Sequence, residues 1–443
     1  MVNKMIGLTT LPLNIPGLEK YQDVLQKSSP DWLRQLRQQG FAAFNELGLP
    51  TVKDEEWKYT SLSPLKTGAY TTTTTKPFKD QEALAAYVDK DDINVVLVNG
   101  AWDQGLCNMK RVPAGVIICS IEEAIKKYPQ DVQFAFAQST TNDPQGFVGL
   151  NQALFLDGVF IKVDKNAVIE PLVHVVHVTH AAAAEKMLVF PRVIIMAGQS
   201  AQVSILESHL GYGKAAYFAN ALTDVFVQNN AVVHYCKAQS DALEAVHIGT
   251  TRMWQRTNST VESFSFAHGA GLARNNLSII LSGEATNTVM NGFYALEGTQ
   301  HVDNHTFLNF QHPNCTGSQL YKGILNGASR AIFNGKIHVM PEAQKTSGYQ
   351  LNKHLLLGAD CRVDTKPELE IFADDVKCTH GATIGQLDED EVFYFESRCI
   401  PRQQAIQMLS RGFIDDIIGT IKAAGIRRKL NKLLANTFAE IAP

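Results

Sequence analysis

The chain runs to 443 residues, more than one hydrophobic core usually serves, so two or three structural units are expected. Apolar residues make up 45% and charged residues 19%, a balance that excludes a disordered chain. The net charge of −4, with no basic run before Arg427-Arg428-Lys429, leaves no electrostatic footprint for nucleic acid.

Met1 to Gly17 carries one lysine and no long apolar run, so it does not read as a secretory signal. No later stretch approaches membrane-spanning length. Apolar residues then recur at three and four through Leu33, Leu36, Phe41, Phe44 and Leu47, which predicts an amphipathic helix stopped by Gly48 and Pro50. Val95–Val98 followed by Asn99-Gly100 reads as a short strand and turn, and Ile121 to Tyr128 as another helix. Residues 1–145 are therefore a mixed N-terminal region. Over residues 146–387 the texture changes to short runs such as Val159–Val163, Val193–Met196, Val225–Val227 and Ile279–Leu281, punctuated by Gly, Asn, Ser or Thr. That is too much strand for one simple sandwich, which favours a stacked solenoid such as a parallel β-helix. No strict repeat is visible, so pattern alone leaves sandwich and solenoid open.

From Asp388 the helical period returns, giving a C-terminal helical domain over 388–443. Asp388 and Glu391 have capping-box spacing. Pro401 marks a helix start, with Ala405, Met408, Leu409 and Phe413 on one stripe and Ile417, Ile418 and Ile421 continuing it. Such a stripe either packs on the chain's own core or docks a partner.

Seven cysteines, at 107, 119, 236, 315, 361, 378 and 399, are odd in number and form no Cys-x-x-Cys pair. This argues against a disulfide framework and a closed zinc site, and a reducing cytoplasm is the simplest home. His174, His177 and His180 resemble a metal cluster, but on a strand His177 faces away from the other two, so they read as ordinary strand histidines. His301, Asp303 and His305, with His312 nearby, are a better set, yet a polar turn network is the simpler reading. Gly213-Lys214 and Gly335-Lys336 lack the remainder of a P-loop, so any ATP-driven step belongs to another subunit. Asp374/Asp375 are neighbours expected to point apart on a strand, and Glu368/Glu370 are the other carboxylate pair.

Cys378-Thr379-His380-Gly381-Ala382-Thr383 carries the most chemistry. On an extended chain Cys378 and His380 share a face, and thiolate and imidazole are ligands for iron and other thiophilic metals. The ordinary reading of such a pair is a structural Cys and a hydrogen-bonded His. Its company changes that. Thr365 to Lys377 lead into it, and Tyr321-Lys322-Gly323, Phe333 to Ile337 and Leu355-Leu356-Leu357 precede it, with Leu49-Pro50 and Glu56-Trp57-Lys58-Tyr59-Thr60 near the start. Together these residues resemble the SufB/SufD family of iron–sulfur cluster assembly proteins, and its SufD branch in particular.

The resemblance implies a mainly β fold with a right-handed parallel β-helix core, flanked by the N-terminal α/β region and the C-terminal helices. It implies a non-catalytic scaffold that pairs with a SufB-like sister and a SufC-like ABC ATPase, the latter through the C-terminal helices. A homodimer is a possible state of the lone chain, and neither nucleic acid nor membrane is an expected partner. The lone chain would hold no tight cofactor; a transient Fe–S cluster or iron would sit at the subunit interface, with His380 and Cys378 as this chain's metal- and cluster-binding residues. Asn352 stands where the SufB-like sister typically has a Cys, and Gly381 where it has a Glu, so the reading in which this chain nucleates the cluster itself is disfavoured. An exported β-helix enzyme acting on polysaccharide is the reading from another class, and it lacks an evident acid pair. One departure from the family is Cys399, where Ser-Arg-Gly-Ile is usual; a Cys in a left-handed turn costs roughly 1–2 kcal/mol, so either the turn differs locally or neighbouring packing offsets the strain.

Overall fold

A computed structural model describes residues 13–72, 78, 80–139, 146–180, 185–214 and 216–441, so most of the segment read for a secretory signal lies outside the described residues. The predicted first helix spans Asp31–Leu47 and ends at Gly48, whose φ of 69° suits glycine. It buries Leu33, Phe41 and Phe44. Its neighbour is the helix Phe147–Leu154, and the two backbones touch at Gly40 and Gly149: a Cβ on Gly40 would stand 2.5 Å from the Gly149 carbonyl oxygen. Arg37 crosses the contact and donates to the Ala153 and Phe155 carbonyls at 3.1 and 2.9 Å, closing the end of the second helix. The strand Ile93–Val98 turns through Asn99 and Gly100, at φ 52° and 82°, into Ala101–Trp102. Two left-handed residues in a two-residue loop are the I′ geometry that matches strand twist.

The core is a parallel β-solenoid of about seven turns. One sheet stacks, in order, Val173–His180, Gln202–Tyr212, Val232–Asp241, Thr260–Gly269, Asn287–Leu296, Thr316–Leu325, Thr346–Leu356 and Val376–Gln386. The other stacks Val159–Val163, Arg192–Ala197, Ala216–Val227, Val246–Gln255, Leu272–Leu281, His301–Phe310, Arg330–Val339 and Arg362–Ile371. The chain alternates between them and returns to the same register after about thirty residues, a repeat carried by backbone rather than by identical side chains. Val173, Val193, Ile205, Val225, Val233, Val261 and Ile279 point inward and are essentially unexposed. Each contributes about 1.5–3 kcal/mol of transfer free energy.

A backbone device sits at one corner of the coils. Asn166, Ser200, Asn230, Asn258, Ala285, Asn314 and Lys345 all have φ between 55° and 62°. The N–H of each donates to a carbonyl one coil on, as in Ser200 to Asn229, Asn230 to Thr257 and Asn314 to Gln344. Asparagine visits this region at low cost, which explains why it holds most of these corners.

The two ends of the solenoid differ. At the start, Ile93–Val98 adds to one sheet beside Val173–His180, and Val116–Ser120 adds to the other, antiparallel to Val159–Val163. At the far end Arg362–Ile371 and Val376–Gln386 are the last strands of their sheets. Their outer edges have no strand partner among the described residues.

The helices Glu389–Glu396, Arg402–Gly419 and Ala424–Ile441 follow. Ile414, Ile417, Ile418, Ile421, Ile426, Leu430 and Leu434 cover Leu206, Cys236, Phe264, Phe266, Phe293 and Ile324 on the outside of the first sheet. The apolar stripe is thus spent on the chain's own solenoid, with one departure: Met408 points out and is 51% exposed. Lys322, nearly buried, fastens the contact by donating to Phe413 O at 2.6 Å and Asp416 Oδ1 at 2.7 Å. Asp388 caps the first of these helices through Asp390 N at 2.9 Å rather than through Glu391. Cys399 has φ 61° and is exposed; its N–H reaches Glu396 O and that of Ile400 reaches Phe395 O, a Schellman turn built without glycine. Among the described residues no helix is long and apolar enough to cross a membrane.

Candidate functional site

Cys378 and His380 lie on Val376–Gln386, the exposed last strand of its sheet. Register places Cys378 beside Gly348 and His380 beside Gln350. Both positions continue inward-facing columns, since Gln350 is fully buried and donates to Gln319 Oε1 at 3.1 Å. The pair therefore occupies the mouth of the solenoid, where the interior meets solvent. Cys378 is half-buried against the core, with its Sγ so near Gly348 that a Cβ there would come within 3.2 Å. Burial pushes its thiol up, against the pull of a backbone hydrogen bond from Gly348. His380 is exposed. The described residues bring no third metal-ligating side chain to these two, so a complete ligand set requires donors from elsewhere.

Asn352 sits one coil back, on the inward face of Thr346–Leu356. It is buried, donates to the Tyr321 carbonyl and accepts from Thr365 Oγ1 at 3.0 Å. An amide serves this double role; a thiol would not. Gly381 lies on the other face of the last strand, against Leu351.

The set His301, Asp303 and His305 belongs to the first half of the strand His301–Phe310, not to a turn, and His312 stands in the loop beyond it. Its partners come from the N-terminal motif. Thr60 Oγ1 donates to Asp303 Oδ2 at 2.6 Å and lies 3.1 Å from His301 Nε2. Arg274 donates to Asp303 Oδ2 and to the Glu56 carbonyl, with its guanidinium 3.9 Å over the Trp57 ring. His305 bridges Asp303 Oδ1 at 2.9 Å and Glu56 Oε2 at 3.1 Å. Burial alone would push His305 down, but Asp303 and Glu56 outweigh it and its pKa is raised. Burial likewise opposes Arg274 and His305 at Asp303, and those two still hold its carboxyl well below the usual range. Two stretches some 240 residues apart thus meet in a charged clamp that joins the N-terminal region to the solenoid. Both stretches stand out in the sequence, but nothing in it joins them.

Asp374 and Asp375 occupy a bend rather than a strand, because the chain is turning between sheets there. Glu368 and Glu370 are both held by Lys336, at 3.2 and 2.8 Å, and Glu368 also by Lys366 at 2.6 Å. They form a charge ladder rather than an acid and a base. His174 and His177 do face opposite ways: His174 Nε2 meets Ser208 Oγ at 2.8 Å outside the sheet, whereas His177 points inside.

Comparison with known proteins agrees with this architecture. The model for the SufBD core domain of the SUF system for FeS cluster assembly matches residues 178–413, and that for the SufBD protein N-terminal region matches residues 18–175. An iron–sulfur cluster assembly SufBD family protein of Synechocystis is 30% identical over 425 residues, covering 94% of this chain and 93% of its own. The iron–sulfur cluster assembly protein SufD of Escherichia coli is 28% identical over 425 residues, covering 95% and 96%. That of Bacillus subtilis is 24% identical, covering 93% and 94%. The chain belongs to the SufBD family of iron–sulfur cluster assembly proteins.

Proposed function

We propose that this chain is a non-catalytic scaffold subunit that pairs with a SufB-like sister through the open end of its solenoid and with a SufC-like ATPase through its C-terminal helices. The observation that carries this reading is the open end itself. Two strands of 10 and 11 residues there present unpaired edges, with exposed Ile371, Phe372 and Ile384 around them. Long exposed edges are templates for strand addition. A sister solenoid arriving there would complete the mouth in which His380 and Cys378 stand, supplying the missing donors for an iron or nascent cluster held as cargo. When the sister is absent, a second copy of this chain satisfies the same edge. Free cysteines throughout the described residues fit a reducing cytoplasm.

The ATPase surface is not the apolar stripe, which the solenoid occupies. Phe393, Tyr394 and Met408, 67%, 53% and 51% exposed, are the large apolar groups that these helices leave exposed among the described residues.

Co-expression with the sister and the ATPase tests the reading. His380→Ala leaves the three-protein assembly intact and lowers cluster formation strongly, while Cys378→Ala is milder because that thiol is partly core. Loss of assembly in His380→Ala, or cluster formation at the normal rate, removes the site assignment. Phe393→Asp with Met408→Asp releases the ATPase but retains the sister; retention of both removes the docking assignment.

A further inference from the structure

The solenoid interior is not uniformly apolar. Where Val173–His180 stacks on Gln202–Tyr212, register sets His177 directly beside His209, with Glu207 two residues before it on the same face. The two imidazoles stack at 4.5 Å between centroids, 12° from parallel. Both bring Nε2 close to one carboxylate oxygen: Glu207 Oε1 is 3.0 Å from His209, hydrogen-bonded to it, and 3.3 Å from His177. The side chains are 3%, 1% and 3% exposed for His177, Glu207 and His209.

We propose that His177 Nε2, Glu207 Oε1 and His209 Nε2 bind a divalent first-row transition-metal ion of the zinc or iron(II) class inside the solenoid. This site is separate from the mouth, in the early coils, and does not rest on the function proposed above.

Distances support a shared ion. Ligand atoms about 2.0–2.1 Å from a tetrahedral centre stand about 3.3–3.4 Å apart, close to the two nitrogen–oxygen separations here; all three ligand atoms lie within 4.8 Å of one another, and one of the stacked rings turns so that both nitrogens face the ion. The carboxylate is already oriented for it. Glu207 Oε2 accepts from Tyr235 OH at 2.7 Å and from Thr223 Oγ1 at 2.8 Å, which leaves Oε1 turned toward the imidazoles. Such outer hydrogen bonds are what hold a ligating carboxylate in place.

His177 supplies the independent observation. Its ring is buried, and neither nitrogen makes a hydrogen bond to the described residues; Nε2 stands near Glu207 Oε1 but outside hydrogen-bond geometry. A buried polar group without a partner is destabilising, and a metal bond would remove that cost. Two imidazoles and a carboxylate suit zinc or iron(II); calcium and magnesium want oxygen alone, and copper(I) wants sulfur. A three-residue set also leaves a position open on the ion. Around it, His247 stacks edge-on to His209 at 4.8 Å with its Nδ1 2.9 Å from Asp241 Oδ2, and the buried Lys237 interacts with both Glu207 and Asp241, so an imidazole, a carboxylate and an ammonium surround the three. The alternative arrangement is a proton shared between imidazole and carboxylate, with no metal.

Because the ligands are buried, the ion enters as the coils form, and the test reads metal released on unfolding. Full-length protein is expressed in zinc-supplemented cells with Cys378→Ala and His380→Ala already introduced, so that the mouth contributes nothing. It is freed of loose metal by chelator and then denatured in the presence of a chromogenic chelator. One equivalent per chain is the expected release, and refolding with cobalt(II) gives visible d–d bands. Glu207→Gln abolishes both. Should that variant not fold, Tyr235→Phe, which removes one hydroxyl from the support of Glu207, weakens the retained metal about tenfold. Absence of metal in the unsubstituted site, or equal retention in folded Glu207→Gln and Tyr235→Phe, overturns the proposal.

Discussion

At the start of the solenoid, covered by the N-terminal strands, His177 and His209 lie inside at 3% exposure and face a carboxylate. At its far end His380 occupies a comparable inward column, four positions from His354 in the neighbouring coil's frame, yet it stands in solvent because no further coil follows. The strand register is the same; what differs is whether another coil stacks on top. Each coil contacts only the coils above and below it, so the inward groups of the last coil lack cover on one side. The same residue type is therefore enclosed in mid-stack and open to solvent at an uncovered end.

This contrast predicts a gradient of damage. The largest effect belongs to the closed half, at Asp224, which accepts from Arg192 at 2.6 Å and from Arg252 at 2.9 and 2.8 Å. The Arg192 and Asp224 side chains are wholly buried and Arg252 is 6% exposed. Asp224→Ala leaves two buried guanidiniums without their shared carboxylate and costs about 3–5 kcal/mol, read by chemical denaturation. A loss under 1 kcal/mol would mean the early coils relax as easily as the open end.

Acid comes next. Burial lowers His174 to about 3 and both His301 and His354 to about 4. Their folded values lie below the unfolded value near 6.5, so the unfolded chain takes up protons that the folded chain refuses. Stability is complete above pH 6.5 and falls as pH drops toward 4, by on the order of 1 kcal/mol per unit for each histidine. Denaturation midpoints measured at pH 7.5, 6 and 5 check this, and His354→Gln flattens part of the slope. A midpoint independent of pH over that range would contradict the buried, neutral state of these rings.

A smaller effect, of opposite sign, is expected at Cys399. Its left-handed backbone is one that glycine adopts freely, and no other side chain depends on its exposed thiol among the described residues. Cys399→Gly stabilises the chain by about 0.5–1 kcal/mol, because relief of strain is partly offset by the greater freedom of glycine in the unfolded state. A lower denaturation midpoint in that variant would show that neighbouring packing already offsets the strain.

Local patterns were legible in the sequence and cross-coil relations were not. The helix Asp31–Leu47 followed from its apolar period and Gly48, and the strand-to-helix change at Asp388 from the acidic cap. The family pattern leaves open whether Cys399 keeps the left-handed corner, and the structure keeps it at φ 61°. The ladder of left-handed corners went unseen because its asparagines recur only once per coil and Ser200, Ala285 and Lys345 interrupt them. His177 was weighed against His174 and His180 in its own strand, although its partners, Glu207 and His209, are a full coil away. Parallel stacking sets such pairs at a spacing that drifts with every corner, so no fixed motif announces them. The clamp of Trp57 on Arg274 is hidden for the same reason at longer range.

The smallest stability effect is expected at His380, and there a near-zero result is informative. The side chain is exposed on an edge strand, and none of its hydrogen bonds is needed to hold the last coil, whose backbone ladder to Thr346–Leu356 continues through Gly381 and Gly385. Alanine fits that extended backbone, so His380→Ala changes unfolding free energy by less than about 0.5 kcal/mol. Cys378→Ala removes a half-buried sulfur that touches the core and costs somewhat more, about 1 kcal/mol. The ordering separates architecture from chemistry at the mouth. If His380→Ala proves the more destabilising of the two, the open end is a packed cap like the closed one, and the difference between the two ends of the solenoid disappears.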